Sequence, residues 1–243
     1  MSVTSIDTTF DVRTDAGGKD PDSHSRTLKR YHQVLWSKPL PNGRPFGLVD
    51  DPNGYLIHSS SLGDFYLSSD SVVHTYYRWK RMAHITGLLD KEELCGFVDL
   101  AYTIGGFLVF PGNRINGLPT LNQERGTNRM INDRLDLTLE CIRRHYLNEP
   151  SPLSETIRRY SDFFALFTDF KGYCEHFLLQ DLLNADHSSV NFFLPFSGFI
   201  HNPLPHDVTE YRIYRDNNLS FLQKRNARIE RFDRELFSTT ETL

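Results

Sequence analysis

Residues 101–146 read AYTIGGFLVFPGNRINGLPTLNQERGTNRMINDRLDLTLECIRRHY, and the fold turns on how this stretch changes character. It opens on an apolar run, Tyr102–Phe110, closed by Pro111-Gly112, which has a strand's length and a strand's stop. It ends on helical spacing. Ile131, Leu135, Leu139, Ile142 and Tyr146 share one side of a helix expected from about Thr127 to Tyr146. Between the two lies a loop rich in glycine and asparagine. The Gly105-Gly106 pair inside the run has no Lys-Ser/Thr after it, so it signals a bulge or a close backbone approach rather than a phosphate loop.

Outward from this stretch the two halves of the chain differ. Upstream, Tyr55–His58 and Phe65–Leu67 read as short strands after the turn Asp51-Pro52-Asn53-Gly54. Ser71–Trp79 suits a strand or a helix, and a short helix is expected over Asp90–Val98. One earlier helix carries Leu28, Tyr31, Leu35 and Trp36 and is stopped by Pro39 and Pro41. Downstream the pattern is mostly helical. Ile157, Tyr160, Phe164 and Phe167 mark one helix, Lys171-Gly172 a break, and Tyr173, Phe177 and Leu178 its continuation. Asn191–Phe196 reads as a strand or a buried extended segment. A long helix follows Pro205-His206-Asp207 to near Leu236, with Tyr211, Tyr214, Phe221, Leu222, Ile229 and Phe232 inward. The expected fold is therefore α+β: a small, mainly antiparallel sheet from the N-terminal half packed against a helical C-terminal half. Residues 1–22, polar and without periodicity, read as an N-terminal arm or a surface-laid lead-in, and residues 23–243 as a single domain.

Composition narrows the class. Of 243 residues 13% are aromatic, with 18 Phe, so the core should rest on ring packing as much as on aliphatics. A net charge of −4 excludes a broad electropositive coat, and any nucleic-acid contact would need a local patch. Cys95, Cys141 and Cys174 show no metal-ligand or CxxC spacing and read as reduced thiols. The N-terminus lacks a signal-peptide pattern, and no apolar run approaches the roughly 18–20 residues of a membrane span. A cytoplasmic protein away from the membrane is expected.

The densest group of unusual polar residues sits where the strand hands over to the helix. Loop amides and a helix N-terminus there direct positive charge at an anion, and Arg114, Asn116, Asn122, Arg125, Asn128 and Arg129 add donors suited to phosphate or carboxylate. On the expected helix, Arg129, Asp133, Asp136, Glu140 and Arg143 fall within roughly 80° of arc. That face reads either as solvated ion pairs or as a ligand site. No second acidic motif completes a coordination shell, so no metal is assigned, and no cofactor is named by any motif. Arg26/His32 and Arg78/His84 share the spacing of a helical ribonuclease signature, a pattern that arises cheaply among 10 His and many Arg.

The segments WSKPLP at Trp36–Pro41, LSSDS at Leu67–Ser71, YTIGGFLVFPGNR at Tyr102–Arg114 and NQERGTNRMINDRLDLTLECIRRHY at Asn122–Tyr146 resemble a bacterial, largely actinobacterial family known only as a domain of unknown function. DFFALFTDFKGYCEHFLLQDLL at Asp162–Leu183 and RNARI at Arg225–Ile229 extend the resemblance over nearly the whole chain. It implies one cytoplasmic domain and brings no activity.

Two readings of function follow. In the first, the chain is an effector acting on a nucleotide or nucleic acid. Arg125, Asp133 and Arg134 then do the chemistry, while Arg114, Asn122, Asn128, Arg129 and Glu140 hold the ligand. In the second, it is a non-catalytic module that binds a protein partner through an aromatic groove and the C-terminal helix. Between Tyr211 and Leu236 that helix has Arg212, Arg215, Lys224, Arg225, Arg228, Arg231 and Arg234 against Asp216, Glu230, Asp233 and Glu235.

Overall fold

A computed structural model describes residues 5–52 and 54–240. Residues 1–4 of the arm, Asn53 of the expected turn and residues 241–243 of the expected domain lie outside the described residues. Helices α1 (Pro21–His24) and α2 (Arg26–Trp36) precede strands β1 (Val49–Asp50), β2 (Leu56–Ser60) and β3 (Gly63–Ser71). Helices α3 (Ala83–Thr86) and α4 (Lys91–Ala101) lead to β4 (Phe107–Pro111). The rest is helical: α5 (Leu121–Thr127), α6 (Leu135–Tyr146), α7 (Ser154–Arg159), α8 (Ser161–Ala165), α9 (Phe170–His176) and α10 (Val208–Thr240). The fold is α+β. Among the described residues its one sheet is antiparallel throughout, in the order β1-β2-β3-β4.

The apolar run at 102–110 is only half a strand. Pairing begins at Phe107, opposite Ser71, and ends at Pro111, opposite Leu67. Before it, the backbone coils against its neighbours. A Cβ at Gly106 would stand 1.9 Å from the Ala101 carbonyl oxygen, and one at Gly105 would stand 2.3 Å from Asn226 Oδ1. These glycines are there for close approach.

Residues 72–79 are neither strand nor helix. Their β-branched and aromatic content reflects burial, with Val72, Val73 and Tyr76 each within 3% of complete enclosure. The hydroxyls of Tyr211 and Tyr214 on α10 donate to the carbonyls of Thr75 (2.5 Å) and His74 (2.8 Å).

Behind the sheet the core is a mesh of rings. Trp36, Phe163, Phe167, Tyr173 and Phe177 are almost fully enclosed, with centroids 4.9–5.4 Å apart between neighbours such as Tyr173/Phe177 and Phe167/Tyr173. The break in this region precedes the Lys171-Gly172 position. Thr168 takes a left-handed φ of 71° and Asp169 caps α9 by accepting from the Gly172 amide at 2.7 Å. Residues 191–196 form no strand and touch the sheet pattern only through the isolated Leu183/Val190 bridge before them.

The described part of the N-terminal segment meets α10 at residues 5–8 and then passes to the end of α4 and the start of α2, burying Ile6, Val12 and Ala16. Asp233 is its anchor, accepting from Ser5 Oγ (2.9 Å) and the Ile6 amide (3.0 Å). Asp233→Asn keeps the shape and loses the charge. It is expected to cost about 1 kcal/mol in urea unfolding and to speed tryptic cleavage at Arg13. An unchanged cleavage rate would show that the apolar contacts alone hold the segment.

Candidate functional site

Strand β3 organises the polar interior because successive side chains leave opposite faces. Ser69 points toward α1 and α2, whereas Ser68 and Asp70 point toward α5. Helix α5 owes its start to a capping box: Thr120 Oγ1 accepts from the Gln123 amide while Gln123 Oε1 accepts from the Thr120 amide. That start brings Asn122 and Arg125 onto β3. Asn122 Nδ2 donates to Ser68 Oγ at 3.1 Å, and the Arg125 guanidinium meets Asp70.

On the other face runs a hydrogen-bond chain with a fixed direction. Trp36 Nε1 donates to His32 Nδ1 at 3.0 Å. Indole is donor-only, so Nδ1 is the bare nitrogen and the ring proton sits on Nε2. Nε2 donates to Ser69 Oγ at 3.0 Å, and the Ser69 hydroxyl proton passes to Asp22 Oδ1 at 2.6 Å. His32 is fully buried, and burial with Arg225 nearby pushes its pKa down to about 3. It is a neutral donor toward Ser69 and cannot serve as its base, which excludes a serine–histidine nucleophile pair here. Arg26 is exposed and takes no part in this chain, so the Arg26/His32 spacing does not place an arginine beside the imidazole.

The chain of donors ends at a carboxyl in a cleft. Asp22, Ser23 and His24 of α1, Tyr55, Ser68 and Ser69, Gly112, Arg114, Thr120 and Gln123 line a volume of about 480 Å³. Burial raises the Asp22 pKa to about 6, with Ser69 working against it and Asp20 and Asp133 adding to it. Asp70, behind the same wall, is also pushed well up. Burial is the main cause, the Arg125 charge opposes it, and Asp133, Asp22 and Asp20 reinforce it. The cleft wall thus carries one carboxyl whose charge burial disfavours, with a second behind it, and Arg114, His24 and the ring of Tyr55 line the same space.

The residues singled out in the sequence divide among several places. Arg125 turns inward, but toward carboxylates and not toward the cleft. It is fully buried, pairs with Asp70 and with Asp133 (3.4 Å), bonds Thr138 Oγ1 at 3.0 Å and lies over the Phe110 ring at 4.9 Å. Arg134 does not join it. Arg134 is buried against Asp136 and donates to the Pro203 carbonyl at 2.8 Å, while Asp136 also accepts from the Phe193 amide at 2.9 Å. Glu140 is held by Arg143 and Arg144 at 2.8 Å each; against the upward push of burial, their hydrogen bonds bring its carboxyl below the usual range. Asn128 contacts its own loop and Pro152, and Arg129 is exposed beside Arg81, His201 and Asn202 in a second cleft of about 490 Å³.

The shared face expected from Arg129 to Arg143 does not exist as one helix. Residues 128–134 form a turn, with Asn132 and Asp133 at φ 47° and 64°, and α6 starts at Leu135. Nor is its α6 portion solvated: Asp136 is 0% and Glu140 4% exposed. On α10, Arg212 and Arg215 pair with Glu93, Arg228 with Asp181, and Arg225 is buried. Much of its positive charge is therefore met within the chain.

Sequence reasoning missed Asp22, Ser69, Tyr55, Thr120 and Gln123. The signal for the last two was present: Thr120-Leu121-Asn122-Gln123 is a capping-box spacing that starts a helix before Thr127. Nothing local marks Asp22, whose partner lies 47 residues away.

Fold and cleft together define an α+β protein with a polar cleft between α1, the sheet and the start of α5. The chain belongs to a family of unknown function, DUF6994, whose family model matches residues 6–229. No curated protein and no solved structure matches it. Among the described residues no helix is long and apolar enough to cross a membrane.

Proposed function

We propose that the protein acts on a nucleotide held in the cleft beside Asp22, with this carboxyl as its proton-accepting group. The observation that carries the reading is the one-way donor chain from Trp36 through His32 and Ser69, which ends on a carboxyl titrating near neutrality at a cleft wall. A general base or acid is most effective when its pKa lies near the working pH. The rim complements a nucleotide in parts: Tyr55 offers a ring face for a base, Asp22 an acceptor for an exocyclic amine, and Arg114 a cation for phosphate.

This keeps the phosphate-facing reading and moves its chemistry. Arg114 and Asn122 stay near the cleft, while Arg125 and Asp133 support its wall from behind. The alternative, a protein partner on α10, has less support because Arg212, Arg215 and Arg228 are already paired.

Calorimetric titration with nucleoside mono-, di- and triphosphates and a short oligoribonucleotide tests the proposal. Saturable binding of at least one is expected, weakened about tenfold by Arg114→Ala through loss of a charge-assisted contact. Absence of binding by all of them at millimolar concentration, or equal binding by the variant, would overturn it.

A further inference from the structure

The second cleft, of about 490 Å³, differs in chemistry from the one beside Asp22. Three stretches of chain build it. The turn before α3 gives Arg81, the turn before α6 gives Arg129, Met130 and Asn132, and the segment before α10 gives Ile200 and His201. Among the described residues that line it there is no Asp or Glu, and no Phe, Tyr or Trp.

Arg81 is set in place by the fold itself. Its Nη2 donates to Asn132 Oδ1 at 3.2 Å, and its guanidinium lies 4.9 Å from the Trp79 ring centroid. Asn132 is fixed in turn, donating from Nδ2 to the Arg129 carbonyl at 2.7 Å and accepting at its own carbonyl from the buried Tyr76 hydroxyl. Among the described residues neither Arg81 nor Arg129 forms an ion pair, whereas Arg143, Arg215 and Arg228 meet Glu140, Glu93 and Asp181. On a chain of net charge −4, this cleft therefore gathers positive charge without a counter-charge.

Apolar side chains face water beside these cations. Ile200 is 77% exposed, more than any other large apolar side chain among the described residues, and Met130 is 47% exposed. Such surface gains by being covered, and methionine adapts to what covers it. Free phosphate would leave the aliphatic side wet. A nucleic-acid strand would want ring faces for its bases, and none lines this cleft. An acidic stretch of polypeptide supplies both halves. Its carboxylates match the planar fork of Arg81 and the charge of Arg129, and an aliphatic side chain covers Ile200 and Met130.

We propose that this cleft docks a short acidic segment of a partner protein, one whose carboxylates are interrupted by aliphatic residues. The test is fluorescence anisotropy of the full-length protein with a labelled octapeptide of glutamate and leucine. Saturable binding is expected, at least about tenfold tighter than that of an all-glutamate or a serine–leucine octapeptide. Arg81→Gln with Arg129→Gln should weaken it about tenfold and Ile200→Ser about fivefold. Because Arg81 also supports the turn at Asn132, the exposed Arg129 is replaced alone as well, at an expected cost of about threefold. Binding should fall as salt rises. Four results would each overturn the proposal: no saturable binding at millimolar peptide, equal binding of the all-glutamate peptide, indifference to both Arg129→Gln and Ile200→Ser, or displacement of the bound peptide by oligothymidylate at a lower concentration than by unlabelled peptide.

Discussion

Replacing Arg125 with methionine is expected to cost about 3–5 kcal/mol of folding stability, as when a buried ion pair loses one partner, and to lower the melting temperature by roughly 10 °C. The side chain is fully enclosed, and among the described residues its charge is the only one paired with both Asp70 and Asp133. Methionine fills most of the volume and keeps contact with Phe110, so the loss measures charge and hydrogen bonding rather than a cavity. Without the guanidinium, Asp70 faces Asp133, Asp22 and Asp20 with nothing to offset them. Adding Asp70→Asn and Asp133→Asn to the methionine variant should therefore recover at least half of the loss, because both unpaired charges are then gone. Urea unfolding of the three proteins at pH 7.5 decides it. A single variant within about 1 kcal/mol of the wild type would mean that water screens these pairs after all.

Where periodicity and punctuation were both strong, the sequence and structure agree. Leu28, Tyr31, Leu35 and Trp36 do line the inner side of α2, and the long C-terminal helix buries Tyr211, Tyr214, Phe221, Leu222 and Ile229. Tertiary contacts override the pattern elsewhere. The apolar spacing from Ile131 to Tyr146 is real, yet Asn132 and Asp133 go left-handed, so α6 starts only at Leu135. Tyr76 Oη donates to the Asn132 carbonyl at 2.7 Å and Arg81 to its Oδ1 at 3.2 Å, which holds the turn in place. No spacing within residues 127–146 could reveal partners from residues 76 and 81.

The polar stretch after β4 was legible in composition and not in its contacts. An excess of arginine and asparagine after β4 did mark a region that turns inward, since Asn122 and Arg125 both reach β3. What each one faces depends on residues far off in the chain. Arg125 reads like a phosphate ligand until Asp70, 55 residues earlier, is brought against it. Asp22 stood at the end of a segment read as a polar arm. Only folding places it on Ser69 and out of bulk water, and burial is what gives an ordinary aspartate an unusual pKa.

That aspartate supplies the sharpest functional test, because its replacement should move stability and binding in opposite directions. Asp22→Asn preserves the shape and the bond from Ser69 while removing a charge that the fold disfavours. The folded carboxyl titrates at about 6 against 3.8 unfolded, so the native state binds this proton more tightly. Wild-type folding then bears the full penalty above about pH 6 and sheds it as pH falls from there toward 3.8. The variant should accordingly be more stable by about 1–2 kcal/mol at pH 7.5, a figure reduced from the full shift because the carboxyl edge is partly wet. Its advantage should fade between pH 6 and pH 4. Nucleotide binding should weaken by about 10–100-fold at pH 7.5, the worth of a hydrogen bond to a charged acceptor. It should also lose the rise that the wild type shows as Asp22 ionises across pH 6. A residue kept at a cost to stability is the mark of a working site. If Asp22→Asn is stabilised and still binds nucleotide as the wild type does across that range, the carboxyl is only an ill-solvated residue of α1 and the cleft must be read without it.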